Sequence, residues 1–214
     1  MDLSELKEAV VEHKFKEIES LTKRGLDEGF TPQQMLDQAL VPAMDEVGKM
    51  FSAGDIFIPE MMVSAKVMQT ALDILKPHLV GKGQVQTAGR LAIGTVKDDL
   101  HDIGKNIVIS MMQGAGFEVT DLGIDCPPEK FIEAIENGAE ILGMSAILTT
   151  VVPNIGKTIQ AIERKALRGR VIILVGGAAV NPTLAETMGA DAYCKDAGEA
   201  PLKAKELMSM LHRR

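Results

Sequence analysis

One stretch of this 214-residue chain concentrates side chains suited to ligand chemistry: Lys97-Asp98-Asp99-Leu100-His101-Asp102-Ile103-Gly104-Lys105-Asn106. His101 is the strong soft donor in it, and a neutral imidazole suits a transition metal with an open coordination position. Asp99 lies two residues earlier, and in an extended loop residues i and i+2 share a face. Its carboxylate can then take the proton on the other ring nitrogen, fix the tautomer and raise the donor strength of the free one. Gly104 opens the following helix, where a missing Cβ lets a bulky group approach the backbone. A plainer reading fits the same residues. Asp98, Asp99 and Asp102 at a helix N-terminus complement its dipole, and His101 is then a solvated loop residue.

Two further stretches stand out, Ser145-Ala146-Ile147-Leu148-Thr149-Thr150 and Gly176-Gly177-Ala178-Ala179. Ser145 and Thr149 can hold a polar ligand or satisfy backbone groups at a helix start. Gly176-Gly177 can leave space for a ligand or make a tight turn.

The elements that must position these residues follow from periodicity. Residues 1–80 read as helices only. Leu3, Leu6, Val10 and Val11 sit at helical spacing, and a break follows at Gly29-Phe30. Thr31-Pro32 supplies a cap and a first-turn proline, and Pro42 marks a bend or restart. Met44, Val47 and Phe51 belong to a third helix, and a fourth starts near Pro59 and runs to Leu75. Four short-looped helices with apolar faces predict an antiparallel bundle. The segment 81–89, GKGQVQTAG, has breakers and no period, and reads as a linker. From residue 90 to 214 the rhythm becomes β-α. Strands are expected at Arg90–Val96, Glu118–Leu122, Ile141–Ile147, Val171–Val175 and Ala192–Lys195. Helices are expected at Gly104–Gly114, Pro128–Asn137, Val152–Arg168, Pro182–Met188 and Gly198–Leu211. Five such units imply a parallel sheet covered on both faces. With strand order 2-1-3-4-5, the three chemical stretches lie at the carboxyl ends of neighbouring strands, where open α/β sheets bind ligands.

Composition removes several classes. A formal charge of −7 disfavours nucleic-acid backbones. Two cysteines, Cys126 and Cys194, with no CxxC pair, argue against a disulfide framework or a zinc knuckle and fit a reducing cytoplasm. No apolar run approaches ~18 residues, so no membrane span is expected. The first residues, MDLSELKEAVVEHKF, are charged and amphipathic, unlike a signal peptide. Thirteen methionines against a single Tyr and no Trp suit core filler or a pliable apolar pocket.

The pattern Asp99-Leu100-His101-Asp102-Ile103-Gly104, a DxHxxG run extending to HDIGKNIV, followed by Ser145-Ala146-Ile147 and Gly176-Gly177, resembles the cobalamin-binding signature. That signature is shared by B12-dependent methionine synthase, corrinoid mutases and the small corrinoid proteins of methyltransferase systems. With a helical half in front, the resemblance covers essentially the whole chain and favours the methyl-carrying branch. It implies an α + α/β chain: a four-helix bundle, then a five-stranded Rossmann-like, flavodoxin-like cobalamin-binding domain. It implies a corrinoid cofactor, alternating between methylcobalamin and cob(I)alamin, with His101 as lower ligand to cobalt. Asp99 would be the partner of His101, and Ser145 would continue the relay or contact the buried base. Ser145 and Thr149 would hold the nucleotide tail. Gly176, Gly177, Ala178 and Ala197 would border it, while Asp98, Leu100, Asp102, Ile103, Gly104 and Ile147 would complete the site. Ile147 stands where the family favours Leu, a swap that conserves volume. Phe51, Ile58, Met61 and Met62 would cap the methyl-bearing face, or serve only as bundle core. The implied partners are a substrate:corrinoid methyltransferase, a methylcorrinoid:acceptor methyltransferase acting on a thiol or tetrahydrofolate, and a reductive activator. The chain has no zinc-ligand cluster and no room for a barrel of ~250 residues, so it reads as a carrier subunit.

Three rivals share parts of this pattern. A phosphoacceptor receiver domain has the same sheet and Asp98-Asp99 after strand one, but needs a carboxylate where Ser145 ends strand three. A nucleotide-binding oxidoreductase needs a G-x-G-x-x-G after the first strand, which is missing. A mutase small subunit would share the B12 site without the helical half.

Overall fold

The structure, a computed structural model, describes residues 2–79 and 87–211; of the expected linker 81–89, only the last three residues are among them. The chain forms two compact units, Met1–Thr87 with Ser110–Gly116, and Ala88–Ile109 with Phe117–Arg214.

The first unit is helical. Asp2 caps α1 (Leu3–Val11) by accepting from the Ser4 amide, and Glu5 reaches back to complete a capping box. The pattern places its first break at Gly29-Phe30, but the chain also turns at residues 12–17, before α2 (Ile18–Asp27). His13 makes that turn at φ 61 with no glycine or proline to announce it. Thr31 and Gln34 form a second capping box at α3 (Pro32–Met35). The expected bend near Pro42 takes the form of a π-helical turn, Leu36–Leu40, leading into α4 (Val41–Ala53) without a loop. Proline lacks an amide and crowds the carbonyl four residues back, and a wider turn relieves both. Gly54, at φ 84, ends α4, and α5 (Ile58–Leu79) follows. Leu6, Val10, Ile18, Met35, Leu40, Met44, Val47, Met61, Met68 and Leu75 fill the interior. Each such side chain contributes roughly 1.5–3 kcal/mol relative to exposure. Ser64 donates from its buried hydroxyl to the Val10 carbonyl, tying α5 to α1.

The second unit holds a five-stranded sheet of order β2-β1-β3-β4-β5, every neighbouring pair parallel, as expected. The strands are β1 (Arg90–Val96), β2 (Glu118–Cys126), β3 (Ile141–Ser145), β4 (Ile172–Gly176) and β5 (Ala192–Cys194). The helices are α6 (Ile103–Gly114, of which residues from Ser110 onward are grouped with the first unit), α7 (Pro128–Glu136), α8 (Pro153–Arg164), α9 (Pro182–Met188) and α10 (Glu199–Leu211). Phe131, Ile135, Leu142, Ile155, Ile159 and Ile173 form much of the core on one face of the sheet. Boundaries shift where side chains capture backbone groups. Strand β3 stops at Ser145 rather than Ile147, because the Ile147 amide turns to the Asp99 carboxylate. Strand β5 stops at Cys194 because the Lys195 amide donates to Glu199. Helix α8 ends at Arg164 rather than Arg168, and the chain passes through a left-handed residue, Ala166, at φ 57. Strand β2 runs four residues past its expected end and carries two register shifts against β1. No helix among the described residues is long and apolar enough to cross a membrane.

Candidate functional site

The parallel register aligns Thr95 with Ser145, Ser145 with Gly176, and Gly176 with Cys194. The three chemical stretches therefore leave the sheet side by side at its carboxyl edge. After β1 the chain turns left-handed at Asp98, φ 67, and Asp99 becomes fully buried. One carboxylate oxygen of Asp99 accepts from the His101 amide (3.1 Å) and lies 2.6 Å from His101 Nδ1. The other accepts from the Ile147 amide (2.8 Å). Burial opposes charge on Asp99, but these donors outweigh it and hold the carboxyl below its ordinary range. An ionised Asp99 makes Nδ1 the donor and leaves the lone pair on Nε2. The hydroxyl of Thr95, itself buried, donates to the His101 carbonyl at 2.8 Å. His101 is thus gripped at its amide, its carbonyl and one ring nitrogen. Its side chain is half exposed, and Nε2 has no protein partner among the described residues.

The surroundings suit a large, partly apolar group. Leu100 is 68% exposed, Ile103 76% and Leu148 45%, so three aliphatic side chains are offered to solvent from the two loops at this edge of the sheet. Gly104 has an ordinary helical backbone, and a Cβ built there meets nothing within 4 Å. Among the described residues no group of three His, Cys, Asp or Glu side chains could hold a metal ion. A lone imidazole therefore fits a metal that arrives with its other ligands already in place, as in a macrocycle. A cavity of about 470 Å³ lies elsewhere, toward the amino ends of β1 and β2, lined by Arg90, Thr120, Lys130 and Asn137.

Other expected site residues fall out unevenly. Ser145 is half buried at the end of β3, two residues before Ile147, whose amide donates to Asp99. Thr149 and Ala178 are exposed, and Ala197 is buried behind β5. Gly176 and Gly177 have an internal cause: an added Cβ would lie 3.0 Å from the Cys194 oxygen and 2.2 Å from the Ala146 oxygen respectively, and Gly177 has φ +116. Asp102 bonds Asn106 through its side chain at 3.2 Å and through its carbonyl, as a residue preceding a helix does. In the helical unit, Met61 is 1% exposed and belongs to the interior, Phe51 is half buried, and Ile58 and Met62 are exposed.

Several contributors were not foreseen. Asp125, at φ 49 on β2, accepts from the Asp98 amide (2.8 Å) and from Lys97 Nζ (2.7 Å). Asn154 of α8 donates to the Lys97 carbonyl at 2.7 Å. Lys105, almost fully buried, donates to Asp121 of β2 at 2.7 Å. The repeat Asp121-Leu122-Gly123-Ile124-Asp125 at a strand end was the available signal.

Comparison with known proteins supplies the remainder. The B12 binding domain model matches residues 89–205, and a second model, also described as a B12 binding domain, matches residues 3–76. The chain is 36% identical over 207 residues to dimethylamine corrinoid protein 2 of Methanosarcina acetivorans, covering 96% of this chain and 95% of that one. Among solved structures, a cobalamin-binding protein from Desulfitobacterium hafniense superposes with TM-score 0.83 at 28% identity, covering 96% of this chain and 98% of the other. A chain of the methanol:cobalamin methyltransferase complex from Methanosarcina barkeri superposes with TM-score 0.82 at 26% identity, covering 95% and 78%. Two domain matches spanning both halves, on a chain that presents a carboxylate-held histidine at the sheet's carboxyl edge, show that it belongs to the B12-binding corrinoid proteins of the methyltransferase type and that its cofactor is a corrinoid.

Proposed function

We propose that this chain is a methyl carrier in which His101 Nε2 is the lower ligand of the bound corrinoid. The observation that carries the reading is the Asp99–His101 pair, which fixes the ring and leaves Nε2 free beside exposed aliphatic side chains. When bound, the corrinoid supplies a cobalt able to take up a methyl group and give it away. The protein's part is to hold and tune. Asp99 keeps the proton on Nδ1, which raises the donor strength of Nε2. Thr95 and the Ile147 amide keep ring and carboxylate in place. Leu100, Ile103 and Leu148 offer apolar surface to the macrocycle, and Gly104 leaves it room. Ser145, Thr149, Ala178 and Ala197 border the path of the nucleotide tail, with Gly176 and Gly177 shaping the backbone there. Residues 1–80 form a cap and residues 90–214 the binding domain, joined by 81–89. Phe51, Ile58 and Met62 are the cap residues available to cover the reactive face.

The relatives' names support methyltransferase partners: one is a dimethylamine corrinoid protein, another a chain of a methanol:cobalamin methyltransferase complex. This chain accordingly takes methyl from a substrate:corrinoid methyltransferase and passes it to an acceptor methyltransferase. A reductive activator restores the carrier after oxidation. The test uses the full chain reconstituted with cobalamin and isotopically labelled methylamines or methanol, each with its methyltransferase. The loaded chain takes up label with one of these donors, and His101→Ala slows uptake by roughly 10–100-fold. Absence of label on the loaded chain with every donor would refute the carrier reading.

A further inference from the structure

Strand β2 lies at the edge of the sheet, yet it reaches the His101 loop through two carboxylates placed at its irregular end. Between Ile93 and Val96 of β1, the partner positions on β2 advance from Asp121 to Cys126, so β2 accommodates two extra residues. Such bulges turn side chains away from the regular alternation. Gly123 (φ +85) and Asp125 (φ 49) take up the strain. The result places Asp125 beneath the loop. Its carboxylate accepts from the Asp98 amide and from Lys97 Nζ, and its own amide donates to the Asp99 carbonyl at 3.0 Å. Asn154 holds the Lys97 carbonyl from α8. Lys97, Asp98 and Asp99, the three residues that precede Leu100-His101, are therefore fixed from outside. Asp98 and Asp125 are both left-handed without being glycine, a conformation that aspartate enters more readily than most residues and that the hydrogen bond between them helps to hold. Asp121 grips the far end: the same oxygen accepts from buried Lys105 on α6 and from the Gly123 amide at 2.8 Å.

We infer that Asp125 is a positioning residue for His101: through Lys97, Asp98 and Asp99 it sets the place and angle at which the imidazole meets the metal of the bound group. The inference rests on the reading of His101 as lower ligand. It makes Asp121-x-Gly-x-Asp125 a second part of the site, contributed by a strand that acts through the loop rather than by a hydrogen bond to the ring.

The test is electron paramagnetic resonance of the full chain reconstituted with cobalamin and reduced to the Co(II) state. In chain labelled with 15N-histidine, the two-line 15N splitting from the lower ligand, distinct from the three-line 14N splitting of the cofactor's own base, reports the ratio of histidine-ligated to other cobalt, independently of methyl transfer. Asp125→Ala lowers that ratio about tenfold, as loss of an outer-sphere partner does elsewhere. Asp125→Asn keeps an oxygen for the Asp98 amide but removes the charge facing Lys97, and lowers it by about threefold. His101→Ala abolishes the splitting. Retention of the wild-type splitting in His101→Ala overturns the ligand reading itself. Loss in His101→Ala with a wild-type ratio in Asp125→Ala leaves that reading intact and overturns the role of Asp125. Should Asp125→Ala not fold, a wild-type ratio in Asp125→Asn overturns it equally.

Discussion

At Gly177 an added Cβ would sit 2.2 Å from the Ala146 oxygen, whereas at Gly104 it would meet nothing within 4 Å. The first glycine serves the protein's own backbone; the second leaves space that the protein does not use. The two alanine variants should therefore behave oppositely. Gly177→Ala, at φ +116, combines a backbone clash with an unfavourable conformation and should destabilise the apoprotein by about 3 kcal/mol or more, read from urea unfolding. Gly104→Ala lies in the first turn of α6 and should stabilise the apoprotein by up to about 0.5–1 kcal/mol. It should nevertheless retain corrinoid less well on gel filtration, because the methyl group occupies the approach to the loop. Normal retention by Gly104→Ala would show that the cofactor does not come near this residue.

At the scale of elements, the contact between β2 and α6 turns on one buried cation. Lys105 is 3% exposed, and its ammonium has Asp121 and Asn106 for partners. Asp121→Asn leaves the charge with weaker company and should cost about 2 kcal/mol, less than for a fully buried pair because Asp121 is half exposed. Urea unfolding measures it, and a loss below a few tenths would mean that Lys105 finds another partner. Elements of this kind mark the boundary of what can be read from sequence. The five strands and their order were legible because apolar runs alternate with amphipathic helices and crossovers have one hand. The Asp99–His101 pair was legible because residue type and spacing alone bring the two side chains together. The end of β2 was not, since its bulges depend on β1 and on a loop 27 residues distant from Asp125. The turn at His13 escaped for the same reason: no local punctuation announces it, and the packing of α1 against its neighbours decides it.

Across the whole molecule, both cysteines are buried and both thiols are pushed up by burial, Cys194 to about 12. At pH 8 a thiol of that kind is ionised in only about one part in ten thousand, so Cys194 should resist iodoacetamide until the chain unfolds. The sign for stability follows. The folded value lies above the ordinary thiol value of 9.0, so the contribution is complete below pH 9 and is lost as pH rises through about 12. Cys194→Ala should accordingly lose less of its urea midpoint than the native chain between pH 8 and about 10.5. An equal loss in both would assign the alkaline decline to other groups. The shape of the sheet carries a consequence for how this chain meets copies of itself. A parallel sheet has two open edges, and an exposed row of amides and carbonyls is a template for another strand. One edge here is β5, only three residues long. The other is β2, where the irregular stretch that supports the histidine also breaks the repeat, and Lys130 occupies the Leu122 carbonyl at 3.2 Å. Neither margin offers an incoming strand a continuous ladder, so the distortion that brings Asp125 to the His101 loop also guards the sheet against edge-to-edge aggregation.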